Sequence, residues 1–385
     1  MDFSFSVEEE AFQREVKEFT RRELTEEVIQ ESVIGAAEGP AALAFRRKVG
    51  TKGWVCPAWP RDYGGIGGSN MQKFIIREEI GYHGGPYMGI ASDMVGPAVL
   101  IYGSEELKME YLAPIARGEI EVALGYTEPE AGSDLAAIQT SAIEKDDHYF
   151  INGGKIFSSG AHLADYHWLL ARTDPSLAGH RGLSNFIVDL KSPGITITPM
   201  WCMTGRRVNQ IFYDNVKVPK KNLVGEKNRG FYQTATALAF ERTWVTGDMR
   251  RALEMLIEFC RKTERYGKPL VVDSVIQQKL AELAIEVEVT YLLAAKIAWM
   301  LDRGTVPEYE TSMIKVFGSE TASRLAYAGT EILGLYGQLA EGAKWSQLAG
   351  RFTFAFLDSS RLTITRGTSE VQRNIIATRG LGLPR

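Results

Sequence analysis

Cysteine is scarce in this 385-residue chain, and its three cysteines, Cys56, Cys202 and Cys260, lie far apart with no CxxC or related pair. That excludes a disulfide framework and a cysteine-based metal site, and it reads as reduced thiols in a cytoplasmic setting. Long apolar runs are missing too: none reaches the ~18 residues of a membrane-spanning helix. The N-terminal stretch MDFSFSVEEEAFQREVKEF has no basic n-region or apolar core of a signal peptide, and it is too acidic for a transit peptide. A cytoplasmic protein with no membrane association is therefore expected. There is no excess of positive charge; the formal net charge of −4 gives no field for nucleic acid or an anionic membrane surface. His162, Asp165 and His167 match no established metal spacing, so no metal is expected. Internal repeats and low-complexity tracts are also absent.

What remains is the composition of an ordinary globular protein, 45% hydrophobic and 24% charged, long enough for two or three domains. To about Arg117 the pattern is helical, with Phe12, Val16 and Phe19 at helical spacing and Glu8 to Glu10 in a first turn. Proline and glycine interrupt it at PAWPRDYGGIGG (Pro57 to Gly68) and at Gly84 to Pro86. From about Glu121 short β-rich runs follow: Tyr166 to Ala171, Asn185 to Asp189, Ile195 to Pro199 and Ile211 to Pro219. Asn152-Gly153 reads as a hairpin turn among them. Several short strands with turn signals suggest an antiparallel sheet or barrel. After Gly230 helices return. Leu280, Leu283, Val287, Tyr291, Ala294, Ala298 and Leu301 mark one face of a long helix that Arg303-Gly304 ends. The expected fold class is α+β, with a helical N-domain over 1–120, a β domain over 121–228 and a helical C-domain over 229–385.

Three stretches carry candidate chemistry. GYTEPEAGSDLA (Gly125 to Ala136) gathers hydroxyls, glycines and acids. It reads either as a loop offering hydroxyls and backbone N–H groups to a polar ligand, or as a turn that starts a helix at Ser133 and Asp134. INGGKIFSSGAHLAD (Ile151 to Asp165) sets Phe157 beside Ser158 and Ser159. That suits a planar ligand, and equally a strand edge with a core phenylalanine. In LTITRGTSEVQRNIIATRGLGLPR (Leu362 to Arg385) a β-like run enters Arg366-Gly367-Thr368, and Thr368 or Ser369 caps a helix carrying Val371, Ile375 and Ile376.

Together these stretches, in this order, resemble the acyl-CoA dehydrogenase family over essentially the whole chain. YGSEELKMEYLAPIARGE (Tyr102 to Glu119), VPKKNLVGEKNRGF (Val218 to Phe231), RYGKP (Arg265 to Pro269) and GTSEVQRNII (Gly367 to Ile376) add to the agreement. The AHLAD and HRGLSNFIVD segments and the LGLPR ending resemble a bacterial branch acting on branched, cyclic or steroid-derived acyl-CoAs. The resemblance implies a helical N-domain, an antiparallel β-barrel middle domain and a C-terminal four-helix bundle. It implies FAD as cofactor, an acyl-CoA substrate, an electron-transfer flavoprotein as partner, and a homotetramer or heterotetramer. The reaction it implies forms a 2,3-enoyl-CoA by α-proton abstraction and β-hydride transfer to flavin N5.

By matching motifs, the resemblance puts Tyr126 and Thr127 on the isoalloxazine, with Gly132 in the same loop, and Ser133 near the cofactor or the CoA phosphates. Phe157 stands where the family commonly has tryptophan against the flavin, and Ser159 where it has threonine. Thr368 and Glu370 fall at the adenosine or pyrophosphate part, and Gly334 and Gly337 at a glycine-rich loop that contacts FAD from a neighbouring subunit. The family's arginine before Gly267 is displaced to Arg265, and the usual glutamine of the glycine-rich loop is Glu331, an acid that would repel phosphate unless paired.

The largest departure is Arg366, which occupies the position of the common catalytic glutamate. Arginine stays protonated and cannot act as a base, although its backbone N–H remains a donor for the thioester oxygen. Some members place the base on a helix just before an arginine, which here gives Glu241, followed by Arg242 as a candidate substrate contact. Asp93, in GIASDMVGP, is the competing base, in a region the family lines with small or apolar groups. Arg366 itself is a candidate partner for a second substrate carboxylate or for Glu241 or Asp93. Two further readings stay open: a non-catalytic or half-site subunit of a heteromeric enzyme, and an enoyl-CoA reductase or other altered flavin chemistry.

Overall fold

The computed structural model describes residues 4–34, 39–241 and 245–384. Six helices come first: α1 (Val7–Glu23), α2 (Glu26–Ile34), α3 (Pro40–Thr51), α4 (Asn70–Tyr82), α5 (Gly96–Tyr102) and α6 (Glu105–Ala116). Eight strands follow: β1 (Val122–Gly125), β2 (Ser141–Lys145), β3 (His148–Lys155), β4 (Tyr166–Arg172), β5 (Leu183–Asp189), β6 (Ile195–Trp201), β7 (Arg207–Pro219) and β8 (Leu223–Val224). Then come α7 (Gly230–Glu241), α8 (Gly247–Lys262), the small hairpin β9 (Glu264–Arg265) and β10 (Lys268–Pro269), α9 (Ser274–Asp302), α10 (Glu310–Leu333), α11 (Arg351–Ile364) and α12 (Ser369–Ile375).

Two compact units are assembled from these elements: Met1–Leu24 with Asn70–Gly85 and Arg242–Arg385, and Thr25–Ser69 with Pro86–Glu241. In the first, α8 to α11 pack around a core that includes Leu256, Leu280, Leu283, Val287, Leu325, Ile332 and Phe352. Of the apolar stripe of α9, Leu280, Leu283, Val287, Ala294 and Ala298 are buried and Tyr291 and Leu301 half-buried, and α9 ends at Arg303, with Gly304 at a φ of 72°. α1 begins with a capping box in which the Ser6 hydroxyl accepts from the Glu9 N–H and the Glu9 carboxylate accepts from the Ser6 N–H. α4 packs on α1, α8 and α9. The Asp302 carboxylate at the end of α9 caps α4, accepting from the Asn70 and Met71 N–H groups at 2.6 and 2.9 Å.

The second unit holds the sheet, in the order β6-β7-β3-β2-β4-β5-β8, with β1 parallel to β4. All the other neighbours are antiparallel except β2 and β4, which meet in parallel at Ser141 and Arg172. Its core includes Ile151, Leu169, Phe186, Val188, Ile211, Val216 and Val218.

Two local expectations are corrected. Asn152-Gly153 is not a hairpin turn; it lies inside β3 at a bulge opposite β7. Gly153 has a φ of 140°, and a Cβ there would come within 2.7 Å of the Thr140 Cα, so the glycine serves a close strand approach. The turn falls instead between β2 and β3, where Asp146 takes a φ of 53°. Leu362 to Ile364 is not a strand entering the C-terminal motif but the last turn of α11, whose packing on α10 overrides the β-branched run.

Candidate active site

In the sheet-containing unit, two loops form one ledge. β1 leads into the loop beginning at Tyr126, and β3 leads into the loop holding Phe157. The Ile156 N–H donates to the Thr127 carbonyl at 2.9 Å, joining them. Lys155 lies fully buried beneath. Its Nζ donates to Glu128 Oε1 at 2.8 Å and to the Tyr126 carbonyl at 3.2 Å. Glu128 also accepts from the Gln139 and Thr140 N–H groups at 2.6 and 2.9 Å. Burial pushes Lys155 down to about 8, with Glu128 opposing. Burial works to raise Glu128, but Lys155 and these donors hold its carboxyl below the usual range. Both groups are therefore charged at neutral pH, as a pair with its hydrogen bonds supplied.

Phe157 is the unusual residue of the ledge. Its backbone is left-handed, with a φ of 58°, and the residue is 58% exposed. A bulky L-residue in that region costs ~1–2 kcal/mol and marks a functional candidate. Ser158, next to it, is turned inward and pinned. Its N–H donates to the Asn209 carbonyl, and its carbonyl accepts from Asn209 Nδ2, both at 2.9 Å. Its hydroxyl donates to the Leu124 carbonyl at 2.8 Å, so it accepts from His167 Nε2 at 3.1 Å. His167 Nδ1 then accepts from the Tyr213 hydroxyl. Burial pushes His167 down to about 3 and keeps it neutral, and its two hydrogen bonds place the proton on Nε2. Ser159 emerges exposed on the far side.

The other expected residues of this unit are placed as follows. The Tyr126 ring is buried, and its hydroxyl accepts from Trp168 Nε1 at 2.7 Å, which turns it into the sheet. Gly132 and Ser133 are exposed, and a Cβ at Gly132 would meet nothing within 4 Å. Ser133 and Asp134 precede a short 3-10 turn, Leu135–Ala137, with no side-chain cap. Asp93 is 2% exposed on a π-helical turn, Ala91–Val95, that runs into α5; such turns recur at functional sites. Glu241 is the last residue of α7, and its side chain, like all of Arg242, lies outside the described residues.

In the other unit, α11 ends at an extended Thr365, followed by Arg366 and Gly367 with φ of 62° and 81°. The Arg366 carbonyl accepts from Gln372 Nε2 at 3.1 Å, and buried Lys315 donates to the Thr363 carbonyl at 3.1 Å. Thr368 caps α12 by accepting from the Val371 N–H, with Glu370 exposed in the first turn. Arg265 sits on β9, and its guanidinium donates to the Ile332 carbonyl at 3.2 Å, beside Gly334. Tyr266, 99% exposed, and Gly267 form the two-residue turn of that hairpin, both with positive φ. A Cβ on Gly337 would meet the Thr330 carbonyl at 2.5 Å, so that loop packs tightly on α10. Glu331 is paired: Lys279 donates to it and holds its carboxyl below the usual range.

Glu128, Lys155, His167, Asn209 and Tyr213 shape the ledge, yet none was singled out for that role from the sequence; Ser158, read beside Phe157 as a hydroxyl for a planar ligand, is instead buried and turned inward. Lys155 and Glu128 are 27 positions apart and carry no periodic signal. The signal that existed was His167 inside the largely apolar run of β4, which demands buried partners; Lys155, at the end of β3, gave no such signal. Among the described residues, no group of three His, Cys, Asp or Glu could hold a metal ion, and no helix is long and apolar enough to cross a membrane.

A two-unit fold with an aromatic ledge on its sheet and a capped Arg-Gly-Thr turn after α11 defines a class, and comparison with known proteins identifies it. The acyl-CoA dehydrogenase N-terminal, middle and C-terminal domains match residues 6–119, 123–216 and 228–381. Acyl-CoA dehydrogenase FadE26 of Mycobacterium tuberculosis is 32% identical, over 100% of this chain and 99% of its own length. Among solved structures, the Tcur3481-Tcur3483 steroid ACAD is similar with a TM-score of 0.93 and 31% identity, and the ChsE4-ChsE5 complex from Mycobacterium tuberculosis with 0.91 and 32%, each covering 100% of both chains. The chain belongs to the acyl-CoA dehydrogenase family, in its bacterial branch, and is an oxidoreductase acting on acyl-CoA.

Proposed function

We propose that this protein is an FAD-dependent acyl-CoA dehydrogenase that forms a 2,3-enoyl-CoA, with Glu241 as the base. The observation that carries the reading is Phe157, a largely exposed aromatic held in a left-handed conformation beside exposed Ser159. A residue strained and uncovered in this way contributes little to a core and suits a planar ligand. The donor set fits FAD. Thr127, Gly132, Phe157 and Ser159 would hold its ring system, with the Tyr126 main chain contributing, since the Tyr126 hydroxyl already serves Trp168. Thr368 and Glu370, and Arg265, Gly334 and Gly337 of a second copy, would hold the remainder. Pairing of Glu331 with Lys279 removes the charge conflict with phosphate. Bound FAD supplies the hydride acceptor.

The protein's own contribution is acid–base and electrostatic. Glu241 removes the α-proton, and Asp93 is the alternative, being buried on its π-helical turn. The residue-366 N–H donates to the thioester oxygen as charge develops there. Ser133 contacts the cofactor or the CoA phosphates, and Arg242 contacts the acyl-CoA substrate. Electrons leave to an electron-transfer flavoprotein, and the assembly is a tetramer. The test is an anaerobic screen of straight-chain, branched, cyclic and steroid-derived acyl-CoAs, reading loss of the oxidised flavin absorbance. Wild type should bleach and Glu241→Gln should not; undiminished bleaching in the variant moves the base to Asp93, to be checked with Asp93→Asn.

A second reading is favoured by Arg366 and by two similar structures that each pair two differently named chains. In it this chain is a half-site subunit of a heteromeric enzyme. Protein purified alone without flavin, gaining FAD only with a partner chain, would support it.

A further inference from the structure

α4 carries a buried carboxylate with an unusual task. Glu78 is 4% exposed, and both of its oxygens face one residue: Oε1 accepts from the Thr246 N–H at 2.6 Å, and Oε2 accepts from the Thr246 hydroxyl at 2.7 Å. Thr246 is the N-cap of α8 and makes no capping bond with its own side chain. Glu78 thus reaches across from another helix to satisfy the start of α8. The backbones are pressed together at the same place. A Cβ on Gly247 would come within 2.2 Å of the Glu78 carbonyl, and one on Gly81 within 2.9 Å of the Val245 side chain. Thr246 lies five residues beyond Glu241 in the chain.

We infer that Glu78 is a positioning residue that clamps Thr246 against α4 and fixes the start of α8, five residues along the chain from Glu241. Its catalytic consequence rests on the reading of Glu241 as base; the clamp itself does not. The surroundings make the clamp sensitive to pH. Glu78 faces Arg250 and Asp248 on α8 and Tyr291 on α9, with Glu79 beside it on α4. Gln13 of α1 donates to Glu79, not to Glu78. The Arg250 guanidinium lies over the Tyr82 and Tyr291 rings, at 5.5 and 5.3 Å. Burial pushes Glu78 up to about 7, with the Thr246 donors and Arg250 opposing and Asp248 adding to the rise. The clamped state therefore binds a proton that a hydrated, open carboxylate gives up near 4.5. Opening becomes easier as the pH rises, by about tenfold between pH 6 and pH 8 for that pair of values.

The experiment compares wild type with Glu78→Gln, which keeps the shape and cannot ionise. Hydrogen exchange across 240–250, corrected for the intrinsic rate, should show wild-type protection falling about tenfold from pH 6 to pH 8 and no such fall in Glu78→Gln. In turnover, wild-type kcat should decline above pH 7 with KM for acyl-CoA nearly unchanged, and Glu78→Gln should lack that decline. A base titrates in the opposite sense, as a rise with pH, so the two are separable. Equal pH dependence of exchange in both proteins overturns the clamp, and identical kcat profiles overturn its positioning role. If Glu241→Gln bleaches normally, the base reading fails while the exchange comparison still decides the clamp.

Discussion

Replacing Phe157 with alanine separates a core residue from a ligand platform. The residue is 58% exposed, so the substitution removes roughly two-fifths of the ~2–3 kcal/mol that full burial of a phenylalanine contributes, or about 1 kcal/mol. The φ of 58° is retained, so alanine keeps the ~1–2 kcal/mol backbone cost. Glycine at the same position would relieve that cost and lose ~0.4–1 kcal/mol to unfolded-chain entropy, ending near the alanine variant or slightly above it. Flavin binding should respond differently. Losing an aromatic contact worth ~0.5–1.5 kcal/mol weakens affinity by about two- to twelvefold. Urea unfolding of the flavin-free protein reports the first quantity, and titration with FAD followed by fluorescence quenching reports the second. A stability loss of ~3 kcal/mol or more with unchanged FAD affinity would make Phe157 a core residue and refute the reasoning.

Lys155→Met should destabilise the protein by ~3–5 kcal/mol in urea unfolding, because Glu128 is left charged and buried without its cation; adding Glu128→Gln should recover part of the loss. A loss below about 1 kcal/mol would mean that the amide donors satisfy Glu128 unaided. Arg366→Gln should reduce kcat/KM for dicarboxylic acyl-CoAs by about tenfold more than for neutral ones if the guanidinium receives a second carboxylate; equal losses on both exclude that role.

Legibility in the sequence followed the kind of force involved. α9 was visible because one apolar stripe runs along it, most of it buried, and α1 because its charges and apolar residues alternate at helical spacing. Asn152-Gly153 misled because the dipeptide that favours a tight turn also favours a bulge, and only contact with Thr140 decides between them. Leu362 to Ile364 misled because local β preference is weaker than packing on α10. At the site, the residues alone offered Phe157 as a platform or a core residue and Thr368 as a helix cap; the cofactor and thioester roles proposed for Phe157, Arg366 and Thr368 came from motif resemblance. The buried groups behind Phe157 were missed because nothing in a sequence says which strand lysine or histidine meets a partner dozens of residues away.

Backbone strain joins the separately found pieces. Eight described non-glycine residues have positive φ. Asp146, Asn215 and Asn228 are of the types that tolerate it in turns. The others are Phe157, Tyr266, Leu348, Ala349 and Arg366, each costing ~1–2 kcal/mol. Leu348 and Ala349 lead into α11, and no ligand role is assigned to them. Under the proposed function, Phe157, Tyr266 and Arg366 each stand in a stretch that would serve the cofactor or the thioester, and glycine would relieve all three. A side chain kept at such a place is kept for the direction in which the backbone aims it, or for the N–H it aims. Under the proposed function, an arginine at position 366 need not abolish the site: the turn here is left-handed, its N–H remains a donor, and only the proton acceptor has to be found elsewhere in the chain.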